Sequence, residues 1–355
     1  MEQIAAVRTR ADSAQYALGF DEQARRKQSA AQSLGIALGW DYAHHGLTPP
    51  VEHLFAQSSL RQGWQAGRAT FGRRTLRPNG YTHQWLLLRS YAWSHGRSFE
   101  DVQLTPNYLQ QIDYDHCPVT RQPLNKLHGD SNEKSIDRVH DDAAYAAGNL
   151  ALLSRAANQA KGRHDWVSAN AIALRLQPDE SQDGLDKNQW QRIAMLCSFV
   201  TELPHARAAL LPLVMLPPNR LRLFNPVQAL QVLLTRQFAS ADWSRRFALI
   251  ATLLPDGPVT SDFNRFLMAL APRVLGVKDL QSPRQIRWAL EDAWLDPLVQ
   301  KRWARFALQL NSQQAEKLLA AAASKLPCKM KIQQLSQPSA TEGWALEQQG
   351  FCSPG

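Results

Sequence analysis

Apolar and polar positions change their period twice within the stretch Ser135 to Gly162, which reads SIDRVHDDAAYAAGNLALLSRAANQAKG. Ile136 and Val139 frame a short strand that ends in Asp137 and Arg138. A polar loop of roughly ten residues follows, then a second apolar strand from Leu150 to Leu153. A short helix is expected to begin near Ser154, with Arg155, Asn158 and Lys161 at helical spacing. The order is strand, loop, strand, helix. Most of the remaining chain carries a helical pattern. Ala11 to Trp40 is rich in Ala and Gln with few breakers, and Trp85, Leu86, Leu87, Leu88 and Tyr91 form one helix face. Ser282-Pro283-Arg284-Gln285 has the residues of a capped helix start, and Asn311-Ser312 opens another helix running to about Leu326. The expected fold class is mainly α with a small central α+β module.

Breakers divide the chain into four expected segments. They are a helical and Arg/aromatic-rich basic region over residues 1–100, the strand-loop-strand-helix module over 101–165, a helical domain over 166–335, and a loosely ordered tail over 336–355. Pro49 and Pro50 mark a boundary in the first segment, where His44 and His45 are expected at the surface. Gln177 to Asp186, with Pro178, Gly184 and four acids, reads as a polar loop after the module.

The polar residues of the module suggest chemistry. A carboxylate closing the first strand, Asp137, and a side-chain amide one turn into the helix, Asn158, can converge on one hard divalent cation that takes oxygen ligands. Asn149 would brace the intervening loop. Arg155 and Lys161 are placed to hold phosphate oxygens through charge-assisted hydrogen bonds. Taken singly, Asp137 and Asn149 also suit turn caps and Lys161-Gly162 an ordinary helix end.

As an ordered set, SIDRV, Tyr145, Gly148-Asn149 and Asn158-Gln-Ala-Lys161 resemble the HNH (His-Me finger, ββα-metal) endonucleases, in the phage and mobile-element branch whose first strand reads S-I-D-R. The resemblance covers roughly Tyr114 to Gly162. It implies that Asp137 and Asn158 are the metal ligands for one Mg²⁺ or Mn²⁺, and that Asn149 is the middle structural Asn. It also implies a phage or bacterial-defence setting. This chain departs from the family at Arg138, where most members carry the His that deprotonates the attacking water. A guanidinium cannot act as that base at neutral pH. Tyr145 and His116 are the leading replacements, with His140 behind them, and Arg138 is expected to clamp the scissile phosphate.

The wider composition is compatible with that chemistry. The chain of 355 residues carries 40 Lys and Arg against 31 Asp and Glu, a net charge of +9 that favours a polyanionic partner. Seven arginines fall between Arg61 and Phe99 without an acid among them, interleaved with aromatics. Arg73, Arg74 and Arg77, beside Gly72 and the Pro78-Asn79-Gly80 turn, are the expected nucleic-acid grip outside the module. Cys117, Cys197, Cys328 and Cys352 form no CxxC pair. No disulfide framework and no structural zinc are therefore expected, and a reducing cytoplasm is. The N-terminus lacks a signal-peptide core, and the longest apolar run, Ala208 to Leu216, is too short to cross a bilayer.

The expected function is thus metal-dependent hydrolysis of phosphodiesters in DNA, with RNA as a further substrate class. The alternative is a catalytically inactive protein that binds duplex DNA or structured RNA through the same arginines. The C-terminal helices are open to a protein partner. Oligomeric state and sequence specificity are not legible.

Overall fold

The computed structural model describes residues 31–255, 257–276, 280, 282–326 and 333–352. Helix accounts for 55% of the structure and strand for 7%, so the class is mainly α with a small two-stranded antiparallel element. By compactness the chain forms two units. The first takes residues up to Gln111, Asp142–Ala147 and those from Gly343; the second takes Ile112–Asp141 and Gly148–Glu342. The strand-loop-strand-helix segment thus shares a unit with the helices that follow it, apart from the middle of its own loop. The expected part of Ala11 to Trp40 that precedes residue 31 lies outside the described residues.

In the first unit a helix over residues 31–44 (α1) is followed by Ser59–Phe71 (α2), Gly80–Ser94 (α3) and Pro106–Gln111 (α4). Ser58 caps α2, and Asn79 with Thr82 forms a reciprocal box at the start of α3, so each helix begins where a side chain satisfies an orphan backbone donor. Leu38, Tyr42, Leu60 and Leu86 form the core, with Trp64, Trp85 and Trp93 packed around it. The α1–α2 crossing depends on glycine. A methyl group at Gly39 would overlap the Leu60 carbonyl oxygen, and one at Gly63 would overlap the Ile36 carbonyl oxygen. The two backbones approach more closely than any side chain allows.

Two expectations change here. His44 and His45 are not surface residues: both are half-buried, and His44 stacks on Phe71 with ring centroids 4.4 Å apart. The tail is not loose over 343–352. Trp344 is fully buried and donates its indole N–H to the Ala147 carbonyl at 3.1 Å, and Ser98 N donates to the Gly350 carbonyl at 2.8 Å. Burial of the large Trp344 ring helps to hold this segment in place.

In the second unit Lys134–Arg138 (β1) pairs antiparallel with Leu150–Ser154 (β2), with Asp137 opposite Ala151 and Ile136 opposite Leu152. Arg155–Lys161 (α5) starts directly at the end of β2, where the Ser154 hydroxyl accepts from Ala157 N. Trp166–Arg175 (α6) and Lys187–Phe199 (α7) follow, each opened by an Asp-based capping box. The polar run between them closes as a small hairpin, Ser181–Gln182 (β3) with Leu185–Asp186 (β4). Its two-residue turn is Asp183-Gly184, both at positive φ, a strong short hairpin signal that the count of acids and breakers obscured.

The rest of the unit is helical: His205–Ala209 (α8), Pro226–Gln237 (α9), Trp243–Ala251 (α10), Pro258–Val274 (α11), Pro283–Asp292 (α12), Pro297–Ala307 (α13), Ser312–Lys325 (α14) and Gln337–Ala340 (α15). Phe266, Trp294 and Trp303 pack with centroids 5.2–5.6 Å apart at the centre of α11 and α13. The α12 start falls at Pro283 as expected, but the Ser282 side chain makes no capping hydrogen bond; α14 opens after Asn311 as expected, and there Asn311 and Gln314 form a capping box. No helix among the described residues is long and apolar enough to cross a membrane.

The α1–α2 contact predicts that Gly63→Ala lowers the stability of the protein by about 1–3 kcal/mol through overpacking. Gly80→Ala, at a helix position with open space around it, should leave stability within roughly 1 kcal/mol of wild type or raise it. Urea unfolding of the two variants beside wild type checks the contrast.

Candidate functional site

The centre of the second unit's β1–β2–α5 segment is a buried ion pair. Successive residues of a strand point to opposite faces, so Ser135 and Asp137 lie on one face of β1. Residues three apart on a helix share a side, so Asn158 and Lys161 lie on one side of α5. The two faces meet. Lys161 Nζ donates to Asp137 Oδ1 at 3.1 Å and to the Arg138 carbonyl at 2.9 Å, while Asn158 Nδ2 donates to Ser135 Oγ at 2.7 Å. The Lys161 side chain is 0% exposed and that of Asp137 is 6% exposed. Asp137 Oδ2 is buried and has no hydrogen-bond partner among the described residues.

An uncompensated charge in such a place is strongly unfavourable, so each partner makes the other tenable. Burial pushes the Asp137 carboxyl up to about 6, against the opposing influence of Lys161 and Arg138. Burial also pulls Lys161 down, but the Asp137 carboxylate outweighs it and holds the ammonium charged above its ordinary range. Cys197, buried near the pair, has its thiol pushed up to about 12 by burial and is inert as a nucleophile.

Asn149 does what a bracing residue should. Fully buried, it accepts from His140 N through Oδ1 at 2.8 Å and donates from Nδ2 to the His140 carbonyl at 3.1 Å. Val139 N donates to the Asn149 carbonyl at 2.8 Å, extending the β1–β2 ladder into the loop. The clamp fixes the chain just beyond Asp137.

Other residues take positions that differ from expectation. Lys161 does not present itself to phosphate, because its whole side chain lies in the interior. Arg138 is not open as a phosphate clamp either: its side chain is 10% exposed, with Nη2 bound to Asp141 Oδ1 at 2.7 Å and Nη1 to the Asp141 carbonyl at 2.9 Å. A carboxylate three residues away satisfies the planar fork locally. Arg163 Nε adds a bond to Asp141 Oδ2 at 3.2 Å.

His116 is drawn to α12. Arg284 Nη1 lies 2.7 Å from His116 Nε2, and the Trp288 ring is 5.8 Å away edge-on. A guanidinium only donates, so this bond needs a neutral imidazole acceptor. Burial and then Arg284 lower the His116 pKa in the same sense. The lone pair a general base would use is thereby engaged with Arg284. Nearby, Arg121 pairs with Asp292 at 2.6 Å and with buried Glu291 at 3.1 Å, tying the turn after Cys117 to α12. Tyr145 belongs to the first unit, where its ring is 6% exposed and packs against Phe99 and Tyr91.

The expected nucleic-acid contacts outside the segment are exposed. Arg73, Arg74 and Arg77 all stand exposed in the loop between α2 and α3, where Arg74 N donates to the Phe71 carbonyl at 2.8 Å. Arg155 is half-buried in the first turn of α5.

Asp137 and Asn158 each keep an oxygen of the kind that a small hard divalent cation takes. Asp137 Oδ2 is an orphaned interior oxygen, and the Asn158 amide has its nitrogen committed to Ser135, which leaves its carbonyl oxygen as the atom for a hard cation. Among the described residues no three His, Cys, Asp or Glu side chains cluster at metal-binding spacing, and a centre of one carboxylate and one amide is not of that kind.

Because the folded-state value of about 6 lies above the ordinary 3.8, the folded protein holds the Asp137 proton more tightly than the unfolded chain does. The stability this contributes is complete below about pH 4 and is lost as pH rises through about 6. Carbonyl-carbon NMR of the Asp137 side chain should show a titration midpoint near 6; a midpoint near 4 would contradict the burial seen here. Comparison with known proteins finds no matching family model, no matching curated protein and no matching solved structure.

Proposed function

We propose that the β1–β2–α5 segment is a ββα-metal centre and that the protein hydrolyses phosphodiester bonds in DNA. The observation that carries this is the pairing of faces just described: one interior carboxylate oxygen of Asp137 without a partner, beside an α5 face that presents Asn158. An unsatisfied buried acceptor costs about 1–3 kcal/mol, which a cation bound to Oδ2 would offset.

In this reading Asp137 Oδ2 and Asn158 Oδ1 hold a single Mg²⁺ or Mn²⁺. Such an ion, when bound, polarises the scissile phosphate and stabilises the leaving oxygen. Ser135 orients the Asn158 amide, Lys161 orients the Asp137 carboxylate, and Asn149 keeps the loop after Asp137 in one conformation. Arg73, Arg74 and Arg77 bind phosphates along the nucleic acid without reading its sequence. Arg138 serves the loop through Asp141 and not the phosphate.

The second reading is a nucleic-acid-binding protein that does not cleave. It draws support from the same Arg138 and Lys161, both turned inward, and from His116, held by Arg284. Supercoiled plasmid and short RNA incubated with Mg²⁺ or Mn²⁺ separate the two. On the nuclease reading, wild type nicks DNA, and Asp137→Ala or Asn158→Ala lowers the rate by at least ~10²-fold while the fold persists. Binding without metal-stimulated cleavage favours the second reading. His116→Ala, His140→Ala and Tyr145→Phe, assayed together, identify the group that activates water as the one whose loss abolishes cleavage in a folded protein.

Both readings share a prediction for the exposed loop. Replacing Arg73, Arg74 and Arg77 with Ala should weaken DNA binding at low salt and make the slope of log affinity against log salt shallower by up to about 3. Fluorescence anisotropy on a fixed duplex across a salt series measures it; an unchanged slope removes this loop from the interface.

A further inference from the structure

The two oxygens of the Asp137 carboxylate are not equivalent. Oδ1 accepts from Lys161 Nζ at 3.1 Å, and the buried Oδ2 has no partner among the described residues. Lys161 cannot easily release Oδ1. Its side chain is 0% exposed, and its ammonium is also bonded to the Arg138 carbonyl at 2.9 Å, so no solvent competes for it and a second bond anchors it. Resting on the metal-centre reading above, we propose that Lys161 is a specificity-determining positioning residue: by holding Oδ1 it restricts Asp137 to one-oxygen ligation and so selects the cation.

The consequence follows from coordination chemistry. Mg²⁺ is small, demands a near-octahedral shell at about 2.0–2.1 Å and is served by single carboxylate oxygens, with water filling the remaining positions. Ca²⁺ takes about 6–8 oxygens at longer distances and often gathers them two at a time from one carboxylate. A carboxylate with one oxygen committed to an interior ammonium supplies the first kind of shell and denies the second. The Asn158 amide, its nitrogen fixed on Ser135, likewise offers a single oxygen. Lys161 itself touches neither the cation nor the substrate.

The test uses the full-length protein and metal ions alone, without nucleic acid, with isothermal titration of Mn²⁺ and of Ca²⁺. Wild type should bind Mn²⁺ in a manner abolished by Asp137→Ala and should bind Ca²⁺ more weakly. Lys161→Met frees Oδ1 and should shift the Ca²⁺-to-Mn²⁺ affinity ratio toward Ca²⁺ by at least ~10-fold. A buried salt bridge with a merely structural role would lower stability in Lys161→Met but leave that ratio where it was, and this result overturns the proposal while sparing the metal centre. Absence of any Asp137-dependent Mn²⁺ binding in wild type removes the metal centre and the proposal with it.

If Lys161→Met does not fold, infrared difference spectra of wild type with and without Mn²⁺ give a readout that needs no such variant. One-oxygen ligation widens the splitting between the two carboxylate stretches of Asp137, identified by their loss in Asp137→Asn. A narrowed splitting, the signature of two-oxygen ligation, overturns the proposal.

Discussion

An ammonium and a carboxylate placed together in the interior impose a condition on everything around them. Removing either partner of the Lys161–Asp137 pair leaves a buried charge uncompensated, a defect that commonly costs about 3–5 kcal/mol. The segment is therefore built to keep them together. Lys161 is the last residue of α5 and Asp137 the next-to-last of β1, so helix and strand must end side by side. The direct passage from β2 into α5 at Ser154 and the five-residue pairing of β1 with β2 leave little latitude for any other arrangement. Gly162, at φ 46, turns the chain away as soon as Lys161 is in place.

The loop between β1 and β2 is a harder problem. It leaves the second unit after Asp141 and returns at Gly148, so each flank needs its own anchor. Asn149 supplies one on the returning side through its two bonds to the backbone of His140. The Arg138–Asp141 pair supplies another on the departing side. Between them they hold the chain on both sides of the excursion.

How much of this could be read from the chain depended on range. Period, caps and breakers are local, and they placed both strands, the start of α5 at Ser154 and the openings of α12 and α14. The bracing role of Asn149 is legible too, from its place in the loop between the two candidate ligands. The partners of charged side chains were not. Lys161, three residues from Asn158, looked like a surface cation because nothing in the sequence shows that α5 turns that side onto β1. Arg138 was read as reaching outward, although its acceptor, Asp141, stands three residues away. His116 is a leading candidate base from its place before the Cys117 turn, whereas its partner Arg284 lies 168 residues further along. Gly39 and Gly63 carried a signal of a different kind: a glycine on each of two successive helices, meaningful only once the helices are known to cross there.

The same distinction bears on how chemistry should be sought in a chain like this one. A charged residue next to a candidate ligand suggests substrate contact, but in a small β1–β2–α5 segment the interior is so thin that some of those charges must serve as one another's counter-ions. Lys161 and Arg138 both have the sequence position of phosphate donors, and both are paired with carboxylates of the same segment, Asp137 and Asp141. What such pairing leaves over is the more telling quantity. Among the described residues Asp137 Oδ2 is a buried carboxylate oxygen left without a donor, and on the proposed metal-centre reading it is that oxygen, more than the number of basic residues nearby, that would take a cation.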